Sequence, residues 1–321
     1  MRAALALAAL AVALAGCERQ PAAPPAEAAA DTLRLPTDLA ERIGRAGAQG
    51  RALDRADGYA LAEVASTAAG RVLVQWIDLR RVTVESVLGS VVEGGAESSP
   101  YHPTAPSPAV ELLDPAEVVR QAEASGALAV LNGAFFETPG QPSSQLAFPL
   151  AIGGAVVTGG SSPYGPGQPG ADARRWGAPL RALGLGDSLA HVAEYDPATG
   201  APLDQAAFAD AVVSYRPDAH PTRIATRFHV LGLVDDDRDG MADVLVIATS
   251  DGESTIDGPS GLLFRLGVSP DTFVALDGGA SVVVWNRRAG WLHRAAGGQP
   301  LPHYLVVRPR AADRTPRAER R

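Results

Sequence analysis

The strongest constraint on the fold is a succession of short strand-like runs from Val72 to the C-terminus. Segments such as VLVQWIDL and VTVESVLG are rich in β-branched residues, and glycine, proline and asparagine separate segments of this kind. Helical signals are fewer. In DPAEVVRQAEASG, Asp114 can cap a helix that begins at Pro115 and ends before Gly126, and GPSGLLFRLGV is apolar at helical spacing. Many strands with few helices predict a single α+β domain with largely antiparallel sheets.

Four further segments carry local signals. Residues 36–56 predict one or two short helices, with Thr37 as a possible N-cap. ALAVLNGAFF is typical of a buried strand that runs into a turn at Asn132 and Gly133. LAIGGAVVTGG predicts a hairpin turned by glycines, and RIATRFHVLGLV pairs naturally with VLVIATS.

The N-terminus carries an export signal. Arg2 is followed by an apolar run to Leu14, which is shorter than the roughly 20 residues of a membrane-spanning helix. The run ends in Leu-Ala-Gly-Cys, which resembles the bacterial lipobox, and Cys17 is the single cysteine of the chain. The sequence therefore predicts a protein of the bacterial cell envelope, facing the periplasm or the exterior and lipid-anchored through Cys17. An ordinary signal peptide is the alternative.

The chain divides by composition into five predicted segments. These are a signal peptide at 1–17, a Pro/Ala-rich tether at 18–32, a helical or extended lead-in at 33–69, the main domain at 70–308 and a basic tail at 309–321. The tail is expected to be solvated, with contact to anionic envelope polymers as the alternative. The net charge of −8 argues against a nucleic-acid partner, and a single cysteine means that burial must hold the domain together.

The segment DDDRDGMADVLV is typical of a calcium-binding hairpin. Alternating Asp side chains converge on one hard cation, and Gly240 permits a sharp turn. Val246 stands where an EF-hand has its bidentate Glu, and the flanks are strand-like. The prediction is therefore a structural Ca²⁺, with a solvated acidic turn as the alternative. The predicted ligands are Asp235, Asp237, Asp239, Asp243 and the carbonyl of Met241.

A second unusual segment is VALDGGASVVVWN, in which Asp277, Gly278 and Gly279 interrupt two apolar runs. Asp-Gly and Gly-Gly are favoured two-residue hairpin turns, so a plain hairpin is one interpretation. A ligand site is the other, because paired glycines let backbone N–H groups approach an anion while the Asp supplies a carboxylate.

Four motifs, taken in order, resemble the phosphodiester glycosidase family. They are ALAVLNGAFF, TRIATRF, VLVIATSDG and VALDGGASVVVW, and the resemblance covers roughly residues 70–308. This is the domain family of the lysosomal N-acetylglucosamine-1-phosphodiester uncovering enzyme and its bacterial relatives. The chain departs from the family pattern at Ala134 and Ala280, where the family has Gly, and at Ile224, where it has Thr.

The resemblance implies hydrolysis of a sugar 1-phosphodiester to a free sugar and a phosphomonoester in envelope glycan metabolism. It implies Asp277 as the first choice for the catalytic carboxylate and Asp251 as the second, with Arg223 as a donor to phosphate and Asn132 on the sugar or the phosphate. The implied substrate-binding residues are Gly133, Phe135, Gly278, Gly279 and Ser281, and amides from 278 to 280 could form an anion-binding nest.

Each of these residues also has a structural interpretation. Asn132 can hold a tight turn, Arg223 can form an ion pair, and Asp251 precedes a glycine as turn formers do. The histidines are scattered, and we interpret them as structural or exposed; they include His220, His229, His293 and His303. The alternative function is a non-catalytic envelope lipoprotein that binds a glycan or a protein.

Overall fold

The computed structural model describes residues 33–67, 69–92, 107–136, 142–157, 180–203, 210–219, 224–236 and 241–310. The α+β prediction is confirmed, because these residues form three α-helices and four sheets whose strand pairs are antiparallel. The predicted lipidation site, Cys17, lies outside the described residues. None of the helices in these ranges has the length and apolar composition needed to span a bilayer.

The helices are α1 (Thr37–Arg45), α2 (Pro115–Ala124) and α3 (Asp257–Arg265). The strands in chain order are β1 (Gln49–Ala56), β2 (Tyr59–Ser66), β3 (Gly70–Asp78), β4 (Val82–Leu88), β5 (Val91–Val92), β6 (Ala109–Glu111), β7 (Ala129–Asn132), β8 (Ser143–Gln145), β9 (Leu150–Ile152), β10 (Ala155–Val157), β11 (Leu180–Leu185), β12 (Ala190–Tyr195), β13 (Asp210–Ser214), β14 (His229–Val234), β15 (Val244–Ser250), β16 (Val274–Leu276), β17 (Val284–Asn286), β18 (Gly290–His293) and β19 (His303–Pro309).

Four sheets organise these strands. The first has the order β1-β2-β3-β15-β14-β16. Two five-stranded sheets follow, one ordered β10-β9-β13-β11-β12 and the other β18-β17-β7-β19-β4, and a small sheet is ordered β5-β6-β8. The first sheet is central, because both of its faces are covered. Leu39 of α1 and Leu262 of α3 share one core cluster with Val74, whereas Leu131 of β7 shares another with Leu73.

Several local predictions are confirmed. The Asp114 carboxylate accepts hydrogen bonds from Ala116 N and Glu117 N at 2.7 and 3.1 Å, which caps α2. β9 and β10 form the predicted hairpin. Its turn residues Gly153 and Gly154 have φ of 57° and 80°, which a type I′ turn requires and only glycine adopts readily. β14 and β15 pair as expected.

One prediction near the N-terminus needs correction, and a strand there was not predicted. Residues 36–56 form one short helix, α1, which is within the expected one or two, and the strand Gln49–Ala56, which pairs with β2. Thr37 is not the N-cap, because Pro36 occupies that position and no side chain caps α1. The pairing of β1 with β2 overrides the helical tendency of this segment, because it satisfies the backbone and extends the central sheet.

Candidate functional site

The segment Asp277–Ser281 connects two different sheets. β16, which precedes it, belongs to the central sheet, and β17, which follows it, pairs with β7 and β18. A 3₁₀ turn over Gly279–Ser281 makes the crossing. The hairpin interpretation is therefore wrong, because the two apolar runs do not pair with each other. Asp277 N donates to Gly133 O at 2.9 Å, so this crossing lies against the end of β7.

The backbone geometry requires glycine at positions 278 and 279 for two different reasons. A Cβ at Gly278 would lie 2.7 Å from the carbonyl oxygen of Arg227, and Gly279 has a φ of +63°. The phosphodiester glycosidase pattern that this sequence resembles has a third glycine where this chain has Ala280. Ala280 is exposed, so its side chain has room at this position. Gly278 N donates to Asp277 Oδ1 at 2.9 Å and Gly279 N donates to Arg227 O at 2.8 Å. An anion at the expected nest would therefore compete with these two hydrogen bonds.

Asn132 is buried and holds this crossing through three hydrogen bonds. Its Nδ2 donates to Asp277 O at 2.9 Å, and its Oδ1 accepts from Val283 N at 2.8 Å. Because one partner is a backbone carbonyl and the other a backbone N–H, the orientation of the amide is fixed. The third contact joins Oδ1 to His229 Nε2 at 2.8 Å. Asn132 thus positions the backbone that carries Asp277.

His229 is the buried partner that the sequence did not single out. Since Asn132 Oδ1 only accepts, His229 Nε2 carries the proton, and Nδ1 accepts from the Thr249 hydroxyl at 2.8 Å. Burial lowers the pKa of His229 to about 3, with a smaller contribution from His293. The imidazole is therefore neutral at neutral pH. The signal available in the sequence was its place at the start of an apolar strand.

Four charged residues meet at one end of the central sheet, which we call the site edge: Arg71, Asp251, Arg227 and Asp277. β14 is antiparallel to both neighbours, and His229 pairs with Thr249 on one side and Leu276 on the other. The carboxyl ends of β15 and β16 therefore lie at the edge where β14 begins. Asp251 N donates to Arg71 O at 3.2 Å, which places β3 at the same edge. In strand order, the charges alternate in sign.

In strand order, Arg227 lies between Asp251 and Asp277. Its carbonyl accepts from Gly279, the next residue, Phe228, donates to Ser250 Oγ at 2.9 Å, and its Cγ lies 3.5 Å from a Cβ built on Gly252. Arg223, which the sequence favoured, lies outside the described residues. The motif TRIATRF contains both arginines. The sequence signal that favours Arg227 over Arg223 is its position two residues before the apolar strand β14.

The expected substrate-binding residues fall into different environments. Phe135 is buried, with its ring centroid 5.0 Å from that of Tyr215 and 6.1 Å from that of Phe148, so it packs in the core. A Cβ at Gly133 would lie 2.2 Å from His303 Nδ1, and this close approach requires glycine. The Ser281 hydroxyl is buried, accepts from Gln299 Nε2 at 3.2 Å and contacts the Asp277 carboxyl.

One residue of the site edge, Asp277, and one residue beside it, His293, have strongly shifted pKa values. Desolvation raises the pKa of Asp277 to about 7, against the opposing hydrogen bonds from Ser281 and Gly278. Burial, with a smaller contribution from the positive charge of Arg227, lowers the pKa of His293 to about 4, and Asp251 opposes this shift. A carboxyl that titrates near neutral pH suits an acid or base catalyst.

A cavity of about 60 Å³ lies beside Asp251. Its polar lining comes from Glu63, Arg71, Thr249, Asp251 and His293. Arg71 also contacts Glu63, with 3.5 Å between Nη2 and Oε2. The cavity therefore lies next to the site edge, and its lining includes Thr249, whose hydroxyl binds His229.

The acidic loop is described only at its ends. Asp237 and Asp239 lie outside the described residues, whereas Asp235, Met241 and Asp243 lie within them. Asp243 accepts from Asp236 N at 3.1 Å through Oδ1, and its Oδ2 lies 2.5 Å from Arg80 Nη1. Within the described ranges, no group of three or more His, Cys, Asp or Glu side chains could hold a metal. An arginine thus already neutralises one of the expected ligands.

The raised pKa of Asp277 predicts a specific pH dependence of stability. The folded state holds this proton more tightly than the unfolded state, whose Asp pKa is 3.8, so stability is present at low pH and is lost as pH rises through about 7. A shift of this size corresponds to about 4 kcal/mol, and solvent screening of a partly exposed carboxylate reduces it. We expect Asp277→Asn to gain about 2 kcal/mol over wild type between pH 4 and pH 8. Melting curves of both proteins across this range measure the gain, and a constant difference would contradict the assignment.

No protein-family model and no curated protein matches this chain. Among solved structures, this chain is similar to a hypothetical protein from Synechocystis, with a TM-score of 0.42 and 12% identity, over 81% of this chain and 63% of that one. It is also similar to the catalytic domain of zebrafish N-acetylglucosamine-1-phosphodiester alpha-N-acetylglucosaminidase, auto-inhibited by its pro-peptide. The TM-score is 0.45 and the identity 14%, over 82% of this chain and 82% of that one. A third similar structure is a Burkholderia pseudomallei K96243 protein whose name describes it as exported. The TM-score is 0.40 and the identity 14%, over 78% of this chain and 74% of that one. No sequence family is therefore assigned.

Proposed function

We propose that the protein hydrolyses a sugar 1-phosphodiester at the bond between the anomeric carbon and oxygen, releasing a free sugar and a phosphomonoester. The observation that carries the proposal is the alternation of charge along the site edge, where Arg227 lies between Asp251 and Asp277 in strand order. The transition state of such a cleavage combines a cationic sugar ring with a departing anionic phosphate. Carboxylates stabilise the first, and a guanidinium binds the second through its fork of N–H donors.

The contacts of each residue suggest its role. Asp277 acts on the leaving oxygen, because its pKa near 7 allows it to hold a proton at neutral pH. Arg227 binds the phosphate. Asn132 acts through the backbone, since its carbonyl oxygen and one amide N–H already bind protein groups. The envelope location and the lipid anchor at Cys17 stay predictions from the N-terminal sequence.

An activity screen of the purified protein tests the proposal. The panel contains α- and β-linked sugar 1-(methyl phosphate) diesters, with N-acetylglucosamine first because of the family resemblance, together with envelope glycans. Release of free sugar and methyl phosphate from at least one diester is the expected result. Binding of a glycan without turnover of any diester would instead support the alternative, a non-catalytic binding protein of the envelope.

The two arginines of TRIATRF allow a matched comparison. We expect Arg227→Ala to lower kcat/KM for the active diester by at least about a hundredfold, because removing a donor aimed at developing charge costs roughly that much. Arg223→Ala, the same change four residues earlier, should cost less than tenfold. Steady-state kinetics of both variants measure this. A larger loss for Arg223→Ala would return the phosphate-binding role to the arginine that the sequence favoured.

We also propose that the acidic loop binds Ca²⁺ structurally. Oxygen ligands from Asp235, Asp237 and Asp239 suit this ion, and Asp243 can join them only by sharing its carboxylate with Arg80. A ligand that binds only the folded state stabilises it by about 2.7 kcal/mol at a hundredfold excess over Kd. Melting curves in millimolar Ca²⁺ should therefore lie above those in EDTA, and Asp237→Ala should remove the difference. Coincident curves for the wild type would contradict Ca²⁺ binding and would show that Arg80 alone supplies the positive charge beside Asp243.

A further inference from the structure

We infer that the cavity beside Asp251 holds the water that attacks the anomeric carbon, with Asp251 as its base, so that hydrolysis inverts the anomeric configuration in a single displacement. This inference rests on the proposed function. It assigns different tasks to the two carboxylates of the site edge: Asp251 activates water, and Asp277 assists the leaving group.

The lining of the cavity suits a water molecule. Its volume of about 60 Å³ exceeds the roughly 10–15 Å³ that one water molecule needs. His293 Nε2 is buried and has no hydrogen-bond partner within the described part of the chain. A buried polar atom beside a polar cavity is typically satisfied by water.

These groups also orient the water. Its two hydrogens can be donated to the Asp251 carboxylate and to His293 Nε2, and a guanidinium N–H of Arg71 can donate to its oxygen. One lone pair of the oxygen then stays free to attack. His293 is neutral near pH 7, because burial and the neighbouring Arg227 lower its pKa, so it adds no charge that would repel a cationic ring.

The order of the strands separates nucleophile from leaving group. The cavity extends from Asp251 toward β3 and β2, whereas Arg227 and Asp277 lie on the other side, at β14 and β16. β15 and β16 are two strand spacings apart, which places the backbones of Asp251 and Asp277 about 10 Å from each other. Inverting glycosidases keep their carboxyl groups about 6.5–9.5 Å apart to admit a water, whereas retaining enzymes bring them to about 5 Å. A backbone separation of about 10 Å leaves room for the wider carboxyl spacing and for the water that it admits.

The step balances without a further reactant. A water proton passes to the Asp251 carboxylate as the water oxygen forms its bond to the anomeric carbon. The bond from that carbon to the phosphate oxygen breaks, and its electron pair leaves with the phosphate. Asp277 in its protonated form supplies a proton to the leaving oxygen, and Arg227 neutralises the remaining charge. The products are the free sugar of opposite configuration and the phosphomonoester.

Proton NMR of the first minutes of hydrolysis tests the inference, with the most active methyl phosphate diester of the panel as substrate. The sugar released first should have the configuration opposite to that of the substrate, before mutarotation mixes the anomers. Asp251→Asn should lower kcat by at least about a hundredfold. Asp187→Asn, an exposed change in the turn between β11 and β12, should stay within twofold of wild type.

The outcomes separate the two proposals. Retention of configuration overturns the inference and leaves the proposed function intact, since it requires a covalent intermediate instead of direct attack by water. Wild-type turnover by Asp251→Asn, with a melting curve that shows a folded protein, likewise removes Asp251 as the base. Hydrolysis of none of the diesters overturns the proposed function and the inference together.

Discussion

Asp277→Asn should lower the rate of diester hydrolysis by at least about a hundredfold without unfolding the protein. The substitution is nearly isosteric. It replaces a carboxyl group that can take up and release a proton, with a pKa near 7, by an amide that cannot. The loss of one general acid or base typically costs a factor of 100 or more. The backbone of residue 277 keeps its hydrogen bonds to Asn132 and to Gly133, because neither uses the carboxyl group. Steady-state kinetics and a melting curve measure the two expectations.

The control for this prediction is Asp187→Asn, which makes the same chemical change in an exposed turn. Its kinetics should match those of the wild type. If Asp277→Asn also kept wild-type turnover, Asp277 and its two glycines would serve only to carry the chain from one sheet to the other.

Asn132→Ala should cause the largest loss of stability among the site substitutions. It leaves the N–H of Val283, the carbonyl of Asp277 and Nε2 of His229 without their partner in a buried site. Each unsatisfied group costs about 1–3 kcal/mol, so we expect a total of about 3–9 kcal/mol for the three groups. For a protein of this size, that corresponds to a fall in Tm of roughly 6 °C or more. Thermal unfolding followed by circular dichroism measures it.

Ser281→Ala provides the comparison for Asn132→Ala, because it removes one hydroxyl from the same site. The hydroxyl makes two side-chain hydrogen bonds, from Gln299 and to the Asp277 carboxyl, and their loss should cost about 2 kcal/mol. An Asn132→Ala protein that melts with the wild type, or above Ser281→Ala, would show that the amide is not the element that ties β7, β16 and β14 together.

The sequence predicted the fold class and the local elements whose signals lie within a few residues. The cap at Asp114, the turn at Gly153 and Gly154 and the pairing of β14 with β15 are of this kind. The strand Gln49–Ala56 was not predicted, because β1 gains its stability from β2 and the central sheet. Pairing between elements is a tertiary effect, and a local pattern contains no information on it.

The site could be predicted only in part, for the same reason. Asn132 and Asp277 stand out because each adjoins a glycine that the backbone geometry requires. His229 and Thr249 look like ordinary strand residues, and their role follows from a hydrogen bond between neighbouring strands. The choice between Arg223 and Arg227 depends on where β14 begins, and strand boundaries are poorly determined by composition alone. The site edge exists because antiparallel pairing brings four distant segments to one end of a sheet.

The central claim is that the site edge cleaves the bond between a sugar and a phosphate oxygen, and hydrolysis in H₂¹⁸O tests it most directly. Mass spectrometry of the two products after a single turnover shows which one carries the label. Attack at the anomeric carbon places ¹⁸O in the sugar and leaves the phosphomonoester unlabelled, which is the result we predict. Label in the phosphomonoester would mean attack at phosphorus, and would contradict the roles of Asp251, Arg227 and Asp277.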